Sequence, residues 1–355
     1  MKTAAERYAR QGIIAALLSA MLMGLAPIFG KQALSAGVDT FALVVLRTNG
    51  AAVALWMLLF LFRRQYIFIH PAGLIACVTA GIVNGIGSLM YYSGLAVLDA
   101  SLAQILYTIH PLILALLLSL DGHPISRLTI FRMLLAFPAV IYLLTTNGGD
   151  HITRIQGMVL MLGGAFMYAL HTAIIHSTLR DVPPQTVTLY TITAMALVVW
   201  PSLLFASKPF IDTPASAWIG IIGLTIVTIF SRLFLFAGIK HLGGLQAALL
   251  GLSELIVSVL TAFIFFGDKL SATQWIGAIA LVISVAMVSF EKDLTPSHIS
   301  EGWIAWVYRS FEKLQTSFYI TLSKPPPPPP TKPSPLLKEI EKRRKQVEVR
   351  SQKID

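Results

Sequence analysis

Long apolar runs alternate with short polar breaks from one end of the chain almost to the other. Ten such runs lie near 12–35, 41–62, 72–95, 100–120, 128–146, 156–178, 187–206, 216–239, 243–266 and 272–290. Each is close to the roughly 20 apolar residues a helix needs to cross the hydrocarbon of a bilayer. The breaks carry residues that end helices, among them Gly37 with Asp39, Pro71, Gly122 with Pro124, Gly148 with Gly149, and Pro183 with Pro184. None is long enough for a soluble domain. The ten-residue alternation of an outer-membrane barrel is absent, so the pattern predicts an all-α integral membrane protein with ten transmembrane helices.

Composition strengthens this reading. Of 355 residues, 55% are hydrophobic and 12% charged, where a soluble domain carries about 25% charge. Mean hydropathy is +0.73. The single cysteine, Cys77, excludes an internal disulfide and a cysteine-based metal site. A net charge of +10 could suggest nucleic acid, but its placement does not. Residues 1–290 hold 15 Lys and Arg against 9 Asp and Glu, and residues 291–355 hold 12 against 8. The bases gather at segment ends and in the tail, where a membrane protein meets the anionic inner leaflet. Lys2, Arg7 and Arg10 precede the first run as in a secretory signal. Nine similar runs follow it, so it reads as a retained first helix. With the N-terminus inside, the inner loops and N-terminus hold eight bases, including Arg63, Arg64, Arg127, Arg180 and Lys240, against four outside. Both termini are therefore expected in the cytoplasm, and the chain in the cell membrane.

The chain also repeats itself. "QGIIAALLSAMLMGLAPIFGKQAL" at 11–34 aligns with "QGMVLMLGGAFMYALHTAIIHSTL" at 156–179. At an offset of 144, Trp56 falls on Trp200, Gly94 on Gly238, Leu106 on Leu250 and His110 on Glu254. Five spans per half is an odd number, so the second half enters from the opposite side, which makes two inverted five-helix repeats. The expected organisation is a cytoplasmic N-terminus at 1–11, repeats at 12–147 and 156–290, an interfacial amphipathic helix at 297–323 and a proline-rich basic cytoplasmic tail at 324–355. Trp303, Val307, Ser310, Phe311, Leu314 and Phe318 give that helix its apolar stripe, and six prolines at 325–330 form an extended spacer.

Ionisable groups inside the hydrocarbon are costly unless paired or hydrated, and four stand out: Arg47, His110, Arg232 and Glu254. At about 1.5 Å per residue, His110 and Glu254 both lie roughly 15 Å deep, near the midplane. They are repeat mates, as a central site on a pseudo-two-fold axis requires. Arg232 lies about 10 Å inside the inner end of its span and either snorkels or reaches Glu254 on the next. Arg47 lies about 12 Å from the outer side with no acid near it in its own span, and is expected to bond helix-end carbonyls or loop oxygens. Lys31, near a helix end, is expected to snorkel. Glu254, Arg232, His110, Tyr91, Tyr107 and Asn84 are the candidate substrate-binding residues, with Arg47 and Lys31 as structural or gating charges. Ser88, Tyr92 and Gln104 extend the same polar belt. Gly81 and Gly85 read as close helix packing. His171 and His176 are five apart, on different helix faces, so no metal site is expected. A phosphate-cradling loop, a G-x-S-x-G elbow and an H-E-x-x-H pair are all missing from the sequence, so neither an enzyme nor a cofactor is expected.

The chain resembles the EamA branch of the drug/metabolite transporter superfamily over about residues 12–290. The resemblance rests on the two five-helix repeats, on "LRTNGAAVALW" around Arg47, and on "LYTIHPLILALLLSL" with Pro111. It rests most specifically on "GLSELIVSVLTAFIFFGDKLSATQWIGAIALVISVAM", where Gly267-Asp268-Lys269-Leu270-Ser271, Gln274 and Gly277 match the family pattern. Leu255 stands where the family often has proline. The resemblance implies a secondary carrier exporting amino acids or related small metabolites, some members with proton coupling. It implies a cavity lined by spans one, three, four, six, eight and nine, with His110, Arg232 and Glu254 on lining spans and Arg47 on a peripheral one. The expected partners are a small-molecule substrate and the lipid bilayer, not nucleic acid, and a homodimer is left open. The alternative reading is a membrane scaffold or receptor that signals through its basic tail.

Overall fold

The computed structural model describes residues 4–120, 151–179, 182–207, 213–251, 253–266, 339 and 342–344. Among the described residues up to 266 there are ten α-helices: α1 (Ala4–Ser35), α2 (Thr40–Phe62), α3 (Pro71–Val97), α4 (Ala100–Tyr107), α5 (His110–Leu120), α6 (His151–Thr178), α7 (Pro184–Val199), α8 (Trp218–Leu242), α9 (Gly244–Gly251) and α10 (Ser253–Phe266). No strand occurs among the described residues. Among the described residues eight segments are long and apolar enough to cross a membrane: α1, α2, α3, α4 with α5, α6, α7 with the 3-10 turn after it, α8, and α9 with α10. They coincide with eight of the ten runs expected from the sequence. The expected spans at 128–146 and 272–290, the Gly267-Asp268 motif and the interfacial helix at 297–323 lie outside the described residues. Of the tail, Glu339 and Arg343 are helical and exposed, 4.0 Å apart.

Local chemistry sets the helix ends. Asp39 caps α2, its carboxylate accepting from the amides of Phe41 and Ala42. Its other oxygen accepts from the Ser207 amide at 2.9 Å, tying the cap to the loop after α7. Pro71 and Pro184 sit in the first turns of α3 and α7, where a missing N–H costs nothing. Gly243 ends α8 with φ at +88°, a conformation that disfavours any side chain.

Lipid contributes no hydrophobic drive between helices, so close backbone approach must supply the contact. The most extensive pairings are α1 with α8 and α3 with α6. Glycines make them close. A Cβ on Gly220 would lie 2.7 Å from the Phe29 carbonyl oxygen, one on Gly238 3.2 Å from Ala16 Cβ, and one on Gly94 2.9 Å from the Gly157 carbonyl oxygen. Gly81 meets α7 in the same way, with the Thr191 carbonyl oxygen 2.7 Å away. α2 packs on α7 and α8, and α1 on α10. The outward faces carry large exposed hydrophobics such as Val53, Met57, Leu61, Phe263 and Ile264. Along α2 they border an apolar groove of about 680 Å³ with Trp200 and Trp218.

One span is broken. Between α4 and α5 the chain turns at Thr108 and Ile109, ahead of Pro111. Pro111 has no N–H for the carbonyl of Tyr107, four residues back. His110 fills the gap, its Nδ1 lying 3.0 Å from that carbonyl oxygen. A carbonyl partner requires Nδ1 to carry the proton.

Candidate functional site: a buried charged chamber

A chamber of about 60 Å³ lies inside the helix bundle, walled by α1, α2, α3, α4, α8 and α10. Its size is that of a few water molecules. Its wall is polar: two guanidiniums, one carboxyl, three tyrosines, two side-chain amides and three hydroxyls.

Two pairs of residues one helical turn apart organise the charges. On α3, Asn84 and Ser88 face the chamber, and on α8, Thr228 and Arg232 do. Residues four apart share a helix face. Arg47, reaching in from α2, donates from Nη1 to Thr228 Oγ1 at 3.0 Å and from Nη2 to Ser88 Oγ. Its guanidinium lies 4.7 Å from the centre of the Tyr92 ring. Arg232 donates from Nη2 to Asn84 Oδ1 at 3.2 Å, and its Nη1 meets His171 Nε2 at 3.1 Å. His171 in turn contacts the Ala80 carbonyl oxygen through Nδ1 at 3.0 Å, so its proton sits on Nδ1 and Nε2 is free to accept from Arg232. The Tyr168 ring lies 5.1 Å from the Arg232 guanidinium. Both cations therefore draw on the same face of α3, Arg232 through Asn84 and Arg47 through Ser88. The polar partners of both arginines are neutral.

Glu254 opens α10 on the other side of the chamber. Gln104 Nε2 donates to its Oε1 at 3.0 Å, and the Tyr91 hydroxyl donates to Gln104 Oε1 at 3.2 Å. Tyr91 packs edge-on against Tyr107 at 4.7 Å between ring centres. Glu254 is 2% exposed and shares no ion pair with Arg232 among the described residues. The pair envisaged from the sequence is therefore open: each charge is held by neutral donors or acceptors, with the chamber between them.

Five of the six candidate binding residues line this space, namely Glu254, Arg232, Tyr91, Tyr107 and Asn84. His110 does not. It is spent on the Tyr107 carbonyl and packs against the Tyr107 and Tyr168 rings behind the wall. Arg47 departs the other way. It lines the chamber and bonds side-chain hydroxyls instead of helix-end carbonyls or loop oxygens. Lys31 reaches the carbonyls of Leu95 and Leu98 at 3.0 and 2.8 Å, covering the end of α3. Sequence reasoning missed Thr228, Ser231 and His171. Thr228 stands four residues before Arg232 on α8, which was a usable signal; Ser231 is the immediate neighbour of Arg232, and nothing in the sequence pairs His171 with α8.

Relatives bear on what such a chamber serves. A match of 24% identity over 168 residues, 45% of this chain, links it to the uncharacterized transporter YwfM of Bacillus subtilis strain 168. The chain spans about half, 55%, of that protein's length. An uncharacterized transporter of Archaeoglobus fulgidus is 23% identical over 289 residues, covering 81% of this chain and 98% of the relative. A solved crystal structure superposes with a TM-score of 0.60 at 16% identity, over 79% of this chain and 97% of the other, which establishes likeness of fold. The model of the EamA-like transporter family matches twice, at residues 10–145 and 155–290. With both matches together spanning most of its length, this chain belongs to the EamA-like transporter family, a multi-pass membrane transporter of the drug/metabolite superfamily.

Proposed function

We propose that the chain is a secondary carrier that works by alternating access and exports a small polar metabolite, such as an amino acid, across the cytoplasmic membrane, with a proton as the candidate coupling ion. The buried chamber carries this reading. Charged and polar side chains inside a membrane bundle are costly, and here they surround a common space contributed by both halves of the sequence. Glu254 and Arg232 form its charged centre.

The helix pairings support two inverted repeats. Under the 145-residue relation α1 corresponds to α6 and α3 to α8. The α1–α8 contact thus has its counterpart in α6–α3, and α2 meets its own counterpart α7. With further spans at 128–146 and 272–290 the count is ten and both termini are cytoplasmic. The interfacial helix at 297–323 and the basic tail at 324–355 then lie against the anionic inner leaflet. Tight glycine contacts between α1 and α8 bracket the chamber, at Gly12 and Gly238 on one side and at Gly220 on the other. Opening either one exposes the chamber to one face, which is what alternating access needs.

Metabolites released by cells that overproduce the protein, compared with a Glu254→Gln control, identify the cargo. In proteoliposomes Glu254→Gln is expected to abolish flux or remove its pH dependence. If Glu254→Gln and Arg232→Leu both leave transport and its pH response intact in folded protein, the reading is wrong. Deleting residues 297–355 is expected to leave flux unchanged, whereas a receptor acting through its tail would lose its output.

A further inference from the structure

The chamber has more positive than negative charge, and its geometry says what should balance it. Arg47 and Arg232 are both buried, Arg47 held by Ser88 and Thr228 and Arg232 by Asn84 and His171, and neither touches a carboxylate among the described residues. Glu254, the one acid in the wall, is held by Gln104. Arg47 also carries an unused donor. Its Nη1 and Nη2 bond Thr228 and Ser88, while its buried Nε–H has no acceptor. A guanidinium presents Nε–H and a terminal N–H as a planar fork that matches two oxygens of a carboxylate or phosphate. An arginine needed only as a structural post would have every donor satisfied, since a buried unpaired donor is costly.

We propose that the chamber takes its cargo by an oxyanion, a carboxylate or a phosphoryl group, seated between Arg47 and Arg232, with Arg47 as a direct ligand through its Nε side. Tyr107 lines the same space, in the wall that would face the remaining oxygens, whereas the Tyr91 hydroxyl is already given to Gln104. At about 60 Å³ the chamber admits an oxyanion head group and little else in the present state. Charge balance then assigns roles on the two sides: the arginines hold the anionic end, and Glu254 faces whatever the cargo carries opposite it. This rests on the carrier reading above and specifies the class of cargo.

The test is calorimetric binding to the full-length chain in nanodiscs of neutral lipid. The probes are inorganic phosphate, succinate, chloride, putrescine and glycerol, one at a time. Phosphate or succinate is expected to bind saturably, and which one binds separates phosphoryl from carboxylate recognition. Arg47→Gln should weaken that binding by about tenfold or more, and Arg47→Lys should restore only part of it, because an ammonium keeps the charge without the fork. The proposal is overturned if putrescine or glycerol binds and neither oxyanion does, if chloride alone binds, if nothing binds, or if Arg47→Gln binds like the parent chain. Should Arg47→Gln fail to fold, the probe panel on the unmutated chain still decides. Solute exchange in proteoliposomes keeps the two readings apart. Glu254-dependent flux of an amine without oxyanion binding would preserve the carrier and remove this site. Oxyanion binding without flux of any solute would do the reverse.

Discussion

Helices α1 and α8 run together through two kinds of neighbourhood. Toward their ends they touch through small residues: Gly12 beside His241 and Leu242, Ala16 beside Gly238, and Phe29 with Ala33 beside Gly220. Between these contacts Met23 and Ala26 of α1 and Thr228, Ser231 and Arg232 of α8 face the polar chamber. One pair of helices thus makes both a seam and a cavity. The seam depends on backbone proximity, which dispersion rewards and any added methyl disturbs. The chamber depends on donors and acceptors matched by type, where shape matters less than whether each polar atom has a partner. Damage to the two should therefore look different, in stability for the seam and in transport for the chamber.

The largest expected effect is at the chamber. Arg232→Leu removes the donor to Asn84 and His171 and half of the positive wall, and flux in proteoliposomes is expected to fall about a hundredfold or more while the helical circular dichroism persists. Comparable flux would mean that the chamber is not the transport path. Next comes the seam. Gly220→Val places a Cβ 2.7 Å from the Phe29 carbonyl oxygen, a backbone atom that cannot swing aside, and is expected to cost about 1–3 kcal/mol in detergent unfolding. An unshifted midpoint would show that the seam is loose. His110→Ala sharpens the boundary between the regions. It frees the Tyr107 carbonyl at the break after α4, and should lower stability by about 1 kcal/mol while cargo affinity holds. A lost affinity with unchanged stability would place His110 in the site after all. Smallest is Trp56→Phe, remote from both regions, which loses only the bond from Nε1 to Thr193 Oγ1 at 3.0 Å. It should cost about 1 kcal/mol or less and leave flux alone.

The apolar runs of the sequence translate directly into spans because a chain in hydrocarbon must satisfy its backbone hydrogen bonds within each segment. Eight of the ten runs can be compared with described helices, and all eight match. A fixed rise per residue also converts position along a span into distance from its end. That is why Glu254, Arg232, Asn84, Tyr91 and Tyr107, chosen as polar groups far from the span ends, all reach one chamber. Azimuth was not legible. Which way a side chain points around its helix depends on the neighbours it meets, and a break in the helix resets it. His110 and Glu254 were expected at one depth as repeat mates, yet Pro111 leaves a carbonyl that claims the imidazole, and of the two only Glu254 faces the chamber. Arg47 was expected to bond helix-end carbonyls or loop oxygens because its own span has no acid. Its partners, Ser88 and Thr228, lie 41 and 181 residues away and come beside it only when α2, α3 and α8 pack. Sequence alone determined that this chain spans the membrane, where its spans run and how far along them its charges stand, because those follow from hydrocarbon thickness and helix rise. Only the tertiary packing decided which of those charges share a space, because that depends on the rotation of one helix against the next.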